Sequence, residues 1–488
     1  VKPRTLTLLV AATTAGATLA APVAAAGPTA GDPTPAPVTI AVPCDAAAPG
    51  EAITTANTHP GSTLTLAAGC TYRLKTPLPA LTAAVTIHGA GATLARAHDA
   101  PDFRILRVDG VAVDLSDLTV TGGRAETGTD GGGILTTGAL TLTRVVIRDN
   151  RAGDGAPDHD GGSGGGIAAP KPGSVTATDT QVIGNAAGTS GAHISVRSAA
   201  PQGGRGGGIS IVRSTLTLVR GTVAGNRSGD GGLGVDVADP AWASLAGDGG
   251  FGGGIAMVGG RGTVSDSRIC GNTAGNGGTG GTVTAGHDGY GGYGGGGGSG
   301  GGIALHSARL TLAGTAVCLN AAGDGGPGGP GVLHRGLSGW NAPGGGIDVG
   351  SGTLVVTGGS IVGNRTGHAH DAPGAPDGGG ITNREGNLTL TGTAIVGNRS
   401  TLDGGGIAQD STRRHPADMN VTDTTIADNV AGGTGGGIFA SGTNGTGTLT
   451  TSTVTGNTAR TCGGIAVGPH VDLKRDRVID RGNHPDDC

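Results

Sequence analysis

The side chains in this 488-residue chain that could do chemistry are few, and most of them lie in glycine-rich stretches. Only eight residues are aromatic, and five of these, Trp242, Phe251, Tyr290, Tyr293 and Trp340, fall in three successive stretches of that kind. Flat aromatic faces suit sugar rings, which makes Trp242, Tyr290, Tyr293 and Trp340 candidate ligand contacts. The alternative is that they pin long loops to a scaffold. Asp230, Asn276 and Asp324 open the same stretches, each four residues after a recurring Asn. Acidic groups stacked in successive repeats would repel, whereas Ca²⁺ takes carboxylate and carbonyl oxygens, so calcium is the candidate cofactor there. The plainer reading is solvated Asp and Asn favouring turns.

Asp158-His159-Asp160, His287-Asp288 and His368-Ala369-His370-Asp371 add imidazoles, but at no spacing that fixes three transition-metal ligands. Acid/base hydrolysis of a glycan needs two carboxylates about 5–9 Å apart, which neighbouring loop Asp residues could supply. Polygalacturonase-like groupings are missing, and the loop arginines Arg205 and Arg335 are scattered. Catalytic residues therefore remain unassigned at this level.

What must position these groups is a repeat. Gly-Gly-Gly-Ile recurs with its Ile at 134, 167, 209, 255, 303, 347, 381, 407 and 438, and Cys462-Gly463-Gly464-Ile465 is a tenth copy. It alternates with Val/Ile-x-x-Asn, whose Asn falls at 150, 185, 226, 272, 320, 364, 398, 429 and 457, with a degenerate tenth copy at Asn483. From Ile to the next Asn the spacing is 16 to 22 residues, while from Asn to the next Ile it runs from 8 to 31. Nearly all length variation lies on one side of the repeat, so the fixed part is scaffold and the variable part is loop.

Inside the fixed part, runs such as Leu310-Thr311-Leu312 and Leu388-Thr389-Leu390 alternate with a period of two and read as short strands with one face inward. Short strands joined by Gly corners and repeated ten times fit a chain that coils in one direction. Successive coils would pair in parallel about 4.8 Å apart. The Ile column then points inward, and the Asn column tolerates left-handed backbone and stacks along the axis. The expected fold is all-β, a single-stranded right-handed parallel β-helix with long Gly-rich loops on one side.

The paired motifs resemble the repeat of chlamydial polymorphic outer membrane proteins, which carry Gly-Gly-Ala-Ile and Phe-x-x-Asn. Cys44 through Glu51-Ala52-Ile53 to Gly69-Cys70-Thr71-Tyr72 is similar to the opening segment of secreted bacterial right-handed β-helix proteins of pectate-lyase-like fold, and Val85-Thr86-Ile87-His88-Gly89 to their first full coil. Here Ile or Val replaces the family's Phe, and no membrane barrel follows the repeats.

The six cysteines fit this register. Cys44 to Cys70 and Cys462 to Cys488 both span 26 residues, the length of the shortest coil, and Cys270 and Cys318 each sit two residues before a column Asn. Adjacent coils would bring each pair within disulfide range, giving Cys44–Cys70, Cys270–Cys318 and Cys462–Cys488.

Composition bounds the rest. Gly supplies 106 residues, which disfavours long helices, and the absence of a three-residue Gly period along the chain argues against collagen. A net charge of −5 without a basic stripe argues against nucleic acid. Lys2 and Arg4, an apolar stretch and Ala24-Ala25-Ala26 read as a secretory signal peptide, with no later segment fit to span a membrane. The expected organisation is signal peptide 1–26, flexible linker 27–43, opening segment and first coils 44–130, and repeat coils 131–488. Together these features describe an exported monomer, secreted or at the cell surface. The expected role is adhesion-type binding of an extracellular polysaccharide or surface glycan through the long loops. The rival is a carbohydrate-active enzyme, a polysaccharide lyase or hydrolase, using the same face.

Overall fold

The computed structural model describes residues 35–193, 200–237, 245–284, 289–368, 377–411 and 417–488, and the signal-peptide expectation lies outside them. Residues 36–488 form a right-handed parallel β-helix. A typical coil has three strands, as in Ile303–His306, Ala308–Ala313 and Ala316–Cys318. Corners between them are taken by left-handed backbone at Ser307, Gly314 and Leu319. Among the described residues, the Ile-led strands and Leu106–Val108 build an 11-stranded sheet, most other strands merge into a 25-stranded sheet, and Arg399–Ser400 pairs with Val430–Ala431 in a two-stranded one.

Parallel register puts like on like. Ile255, Ile303, Ile347 and Ile381 pair in sequence and are fully buried, as are Leu310, Leu354 and Leu388. The Leu/Thr alternation follows from the strand period of two, with Leu inward and Thr outward. Next to this apolar core runs the Asn column. Asn272 Nδ2 donates to Asn320 Oδ1 at 2.9 Å, Asn320 to Asn364 at 2.9 Å and Asn364 to Asn398 at 2.9 Å, and each backbone N–H donates to the same oxygen. The pattern holds from Asn150 to Asn483, where Asp487 accepts the last bonds. Burying these amides is tolerable because each finds its partners.

The N-terminal end of the coils is covered. Helix Ala48–Asn57 lays Ala52, Ile53 and Ala56 over the open N-terminal end of the core. Disulfides join Cys44 to Cys70, Cys270 to Cys318 and Cys462 to Cys488, with Cα–Cα distances of 5.7, 4.5 and 5.2 Å. One expectation needs correction. Strand Thr39–Val42 pairs in parallel with Ser62–Leu66, so the coil begins inside the stretch expected to be linker. The long Gly-rich loops, expected on one side, also carry a regular structure of their own.

The long segments run out and back as extended arms bonded to one another. The N–H groups of Ala274, Gly277, Gly280 and Val283 donate to the carbonyls of Ala321, Asp324, Pro327 and Pro330 in the next coil. Return arms do the same: Gly294, Gly297 and Gly300 donate to Leu337, Trp340 and Pro343. A hydrogen-bond period of three in extended chain is the geometry of polyproline II, with about 3.1 Å rise per residue. Out and return arms interlock through glycine, as Gly298 donates to Gly275 and Gly275 to Gly250. A Cβ on Gly275 would lie 1.8 Å from the Gly229 oxygen, so this contact requires glycine. The three-residue Gly period missing from the whole chain is thus present locally, at Gly275, Gly278 and Gly281 and at Gly292, Gly295 and Gly298. The result is a two-layered glycine slab standing on the coils.

Candidate functional site

The slab sorts its side chains by threes. Tyr290 and Tyr293 on one return arm, and Leu337 and Trp340 on the next, are all at least half exposed. Tyr290 stacks on His334 with ring centroids 5.2 Å apart. Trp242 lies outside the described residues, as do His287, Asp288, His370 and Asp371. Asp230, Asn276 and Asp324 form one column on the outbound arms. Asp230 Oδ1 accepts from the Asn276 N–H at 2.7 Å, Asn276 Oδ1 from that of Asp324 at 3.0 Å, and Asp324 Oδ1 from that of His368 at 2.8 Å. Arg227 also pairs with Asp230 at 2.5 Å. This is side-chain support of the next arm's backbone.

A cleft lies where the return arms meet the outward face of the 11-stranded sheet. It has a volume of about 360 Å³, with Asp248, Phe251 and Trp340 from the slab on one wall and His306 and Arg384 from the coils on the other. A second hollow of about 390 Å³ shares His306 and Arg384 and is bounded by Ser351, Glu385 and Asp410. The two hollows therefore meet at one imidazole and one guanidinium.

Each of these groups is held. His306 meets the Phe251 ring edge-on, with centroids 4.2 Å apart, and the Arg205 guanidinium lies 4.8 Å over that same ring. Burial pushes the His306 imidazole below its ordinary value; Arg384 and Arg205 add to this and Asp348 opposes it. The ring is thus a free base at neutral pH. Arg384 Nη2 pairs at 2.7 Å with Oδ2 of Asp348, which also accepts from Ser299 Oγ at 2.6 Å. Asp348 is fully buried, and its Oδ1 has no partner among the described residues. Burial raises Asp410 above the usual carboxylate range, against a hydrogen bond from Ser441. An imidazole held toward its free base and a fixed guanidinium where the two hollows meet, with a carboxyl that burial shifts toward its protonated form bounding the second hollow, can move a proton on a bound anion.

His306, Asp348, Arg384 and Asp410 were not singled out from sequence. Asp348 pairs with Ala304 and Thr382 in the column that follows each ladder Ile, where the other coils carry Leu135, Ala168, Ser210, Ala256, Ala408, Phe439 and Ala466. One acid in that column was the available signal. His306, whose paired residue Val258 is apolar, was another.

No family model and no curated protein matches this chain. A solved structure of the periplasmic alginate epimerase AlgG, a double mutant, is similar to it at 10% identity, over 86% of this chain and 84% of that one, with a TM-score of 0.32. The likeness is one of fold. That neighbour is an alginate epimerase and not an adhesion protein, so the comparison corrects the adhesion-type expectation to the extent of giving it no support. Among the described residues, no helix is long and apolar enough to cross a membrane.

Proposed function

We propose that this chain is a carbohydrate-active enzyme that cleaves an acidic polysaccharide by β-elimination in the cleft between slab and coils. The observation that carries this reading is the meeting of His306 and Arg384 at the junction of both hollows. Arg384 receives the uronate carboxylate, which makes the neighbouring C–H more acidic by neutralising charge beside it. His306 takes that proton. The electron pair left behind forms the new C=C bond and breaks the bond to the glycosidic oxygen, and Asp410, whose carboxyl burial shifts toward the protonated form, serves as the acid that gives a proton to that departing oxygen. Asp348 touches no substrate; it positions Arg384. Tyr290, Tyr293 and Trp340 extend the cleft along the slab as ring platforms for further sugars. Three disulfides support an exported setting.

The test is incubation with uronate and neutral polysaccharides, following the ultraviolet absorbance of unsaturated uronate and the appearance of new reducing ends. The expected result is unsaturated product from a uronate polymer, formed about 10²- to 10⁴-fold more slowly by His306→Gln. Cleavage of a neutral polymer with uronates left intact would overturn the reading.

A further inference from the structure

At the wall of the cleft, where Asn341 lines it, lies a buried group of oxygens that the proposed chemistry leaves unused. Asp377 is 1% exposed and has no ion-pair partner among the described residues. Asn341, also buried, donates from Nδ2 to Asp377 Oδ2, and that Nδ2 lies 3.3 Å from Thr401 Oγ1. Thr401 Oγ1 gives its hydrogen to Gly367 O at 3.1 Å and lies 3.3 Å from Thr366 Oγ1. Asn341 Oδ1 is buried with no hydrogen-bond partner among the described residues.

Neither orientation of the Asn341 amide satisfies this group. As placed, its oxygen is stranded in the interior, which carries the full cost of desolvation. Turned over, the oxygen would face the carboxylate of Asp377 and the lone pairs of Thr401, acceptor against acceptor. Both defects have the same remedy: a positive centre among the oxygens. Burial pushes the Asp377 carboxyl well above the usual carboxylate range, and a cation beside it is the alternative to taking up that proton.

We infer that Asp377, Asn341 and Thr401 form a binding site for a hard divalent cation of the calcium class, with Gly367 O and Thr366 Oγ1 at its edge. The donor set is all oxygen, carries a single carboxylate and comes from three separate chain segments, which suits the flexible coordination of Ca²⁺ better than the strict octahedron of Mg²⁺. It is a different place from the Asp230, Asn276 and Asp324 column, whose Oδ1 atoms already accept backbone N–H bonds. The site goes beyond the proposed catalysis and does not depend on it.

Trp340 is the immediate neighbour of Asn341 in sequence, so bound Tb³⁺ should emit on indole excitation. The expected results with the intact chain are terbium emission displaced by Ca²⁺, a melting temperature several degrees higher in Ca²⁺ than in chelator, and a weaker response to Mg²⁺. Trp340→Phe should lower the emission and leave the calcium-dependent melting shift in place. Asp377→Asn should weaken terbium and calcium binding at least tenfold, while Asp324→Asn should leave both unchanged. If Asp377→Asn does not fold, Asn341→Asp decides, because a second carboxylate tightens a cation site. Equal melting in Ca²⁺ and chelator together with no terbium emission would overturn the inference, as would loss of binding in Asp324→Asn with retention in Asp377→Asn.

Discussion

The imidazole of His306 and the amide of Asn398 are both half of a pair, and each fails in a definite way when changed. If His306 is the base that takes the substrate proton, His306→Gln should lower kcat by about 10²- to 10⁴-fold while the coils melt as before. Because burial holds its value below the ordinary imidazole range, the free base persists below neutral pH, and activity should fall only as pH drops beneath that range. A rate that instead rises as pH falls would exclude His306 as the base. Asn398 tests the ladder rather than the cleft. Its Nδ2 donates to Asn429 Oδ1 and to Ile361 O, both at 2.9 Å, while its Oδ1 accepts from Asn364. Asn398→Asp sets a carboxylate oxygen against two acceptors in a fully buried site and should cost several kcal/mol. Thr391→Asp, on the outward side of its strand, should stay within about 0.5 kcal/mol. Denaturant titration of the two variants gives the comparison, and equal midpoints would remove the ladder from the account of stability.

The coils were legible in the sequence because Ile and Asn occupy single positions per turn, and stacking in register makes each column visible as a repeat. The slab was not, because its three-residue glycine pattern runs only a few turns in each arm and is interrupted by Leu233, Thr279 or Pro327, so it reads as loop. The cleft was missed for a related reason: His306, Asp348 and Arg384 come from the ends and outward faces of strands, not from the variable segments where function was sought. Glycine at a corner and glycine in the slab also differ in kind. Gly271 has φ +67° with open space around its missing Cβ, so Gly271→Ala should cost only the left-handed backbone, about 1–2 kcal/mol. At Gly275 the added Cβ would lie 1.8 Å from Gly229 O, and backbone must move. Gly275→Ala should therefore open several arms together and cost more than the corner variant. Hydrogen exchange should show lost protection at Gly231, Gly234, Gly277 and Gly280 while the Asn ladder stays protected. Loss confined to residues 274–276 would mean that the arms are not one cooperative unit.

A solenoid is stabilised coil by coil, each turn bonded to its neighbours, so its ends carry a different energetic problem from its middle. The N-terminal end is covered by a helix with buried Ala52 and Ile53. At the C-terminal end the last turn puts Asp480 in register with Val454, a position that is apolar in the earlier coils. Burial, opposed by Arg475 and assisted by Asp487, raises Asp480 to about 6. Its carboxyl also accepts from Asn483 Nδ2 at 2.9 Å and pairs with Arg475 at 3.4 Å. Since the folded value lies above the unfolded one, the folded coil holds a proton that the unfolded chain has released between roughly pH 4 and 6. Stability of this end must then fall as pH rises through that window and remain lower at neutral pH. Asp487, held below the ordinary range by bonds from Asn483, acts in the opposite sense and only at lower pH. Asp480→Val completes the apolar column and leaves Asp487 to accept from Asn483. After allowance for partial solvent screening, the variant should stabilise the terminal turn by about 1 kcal/mol at pH 7, and by less at pH 4. Hydrogen exchange at Ile479, Arg481 and Asn483, corrected for the intrinsic pH dependence, measures this directly. Wild-type protection should weaken between pH 4 and 7, and the variant should lose that dependence. A wild-type terminal turn that is instead better protected at pH 7 would mean that Asp480 is ionised at little cost, with the Arg475 pair outweighing burial.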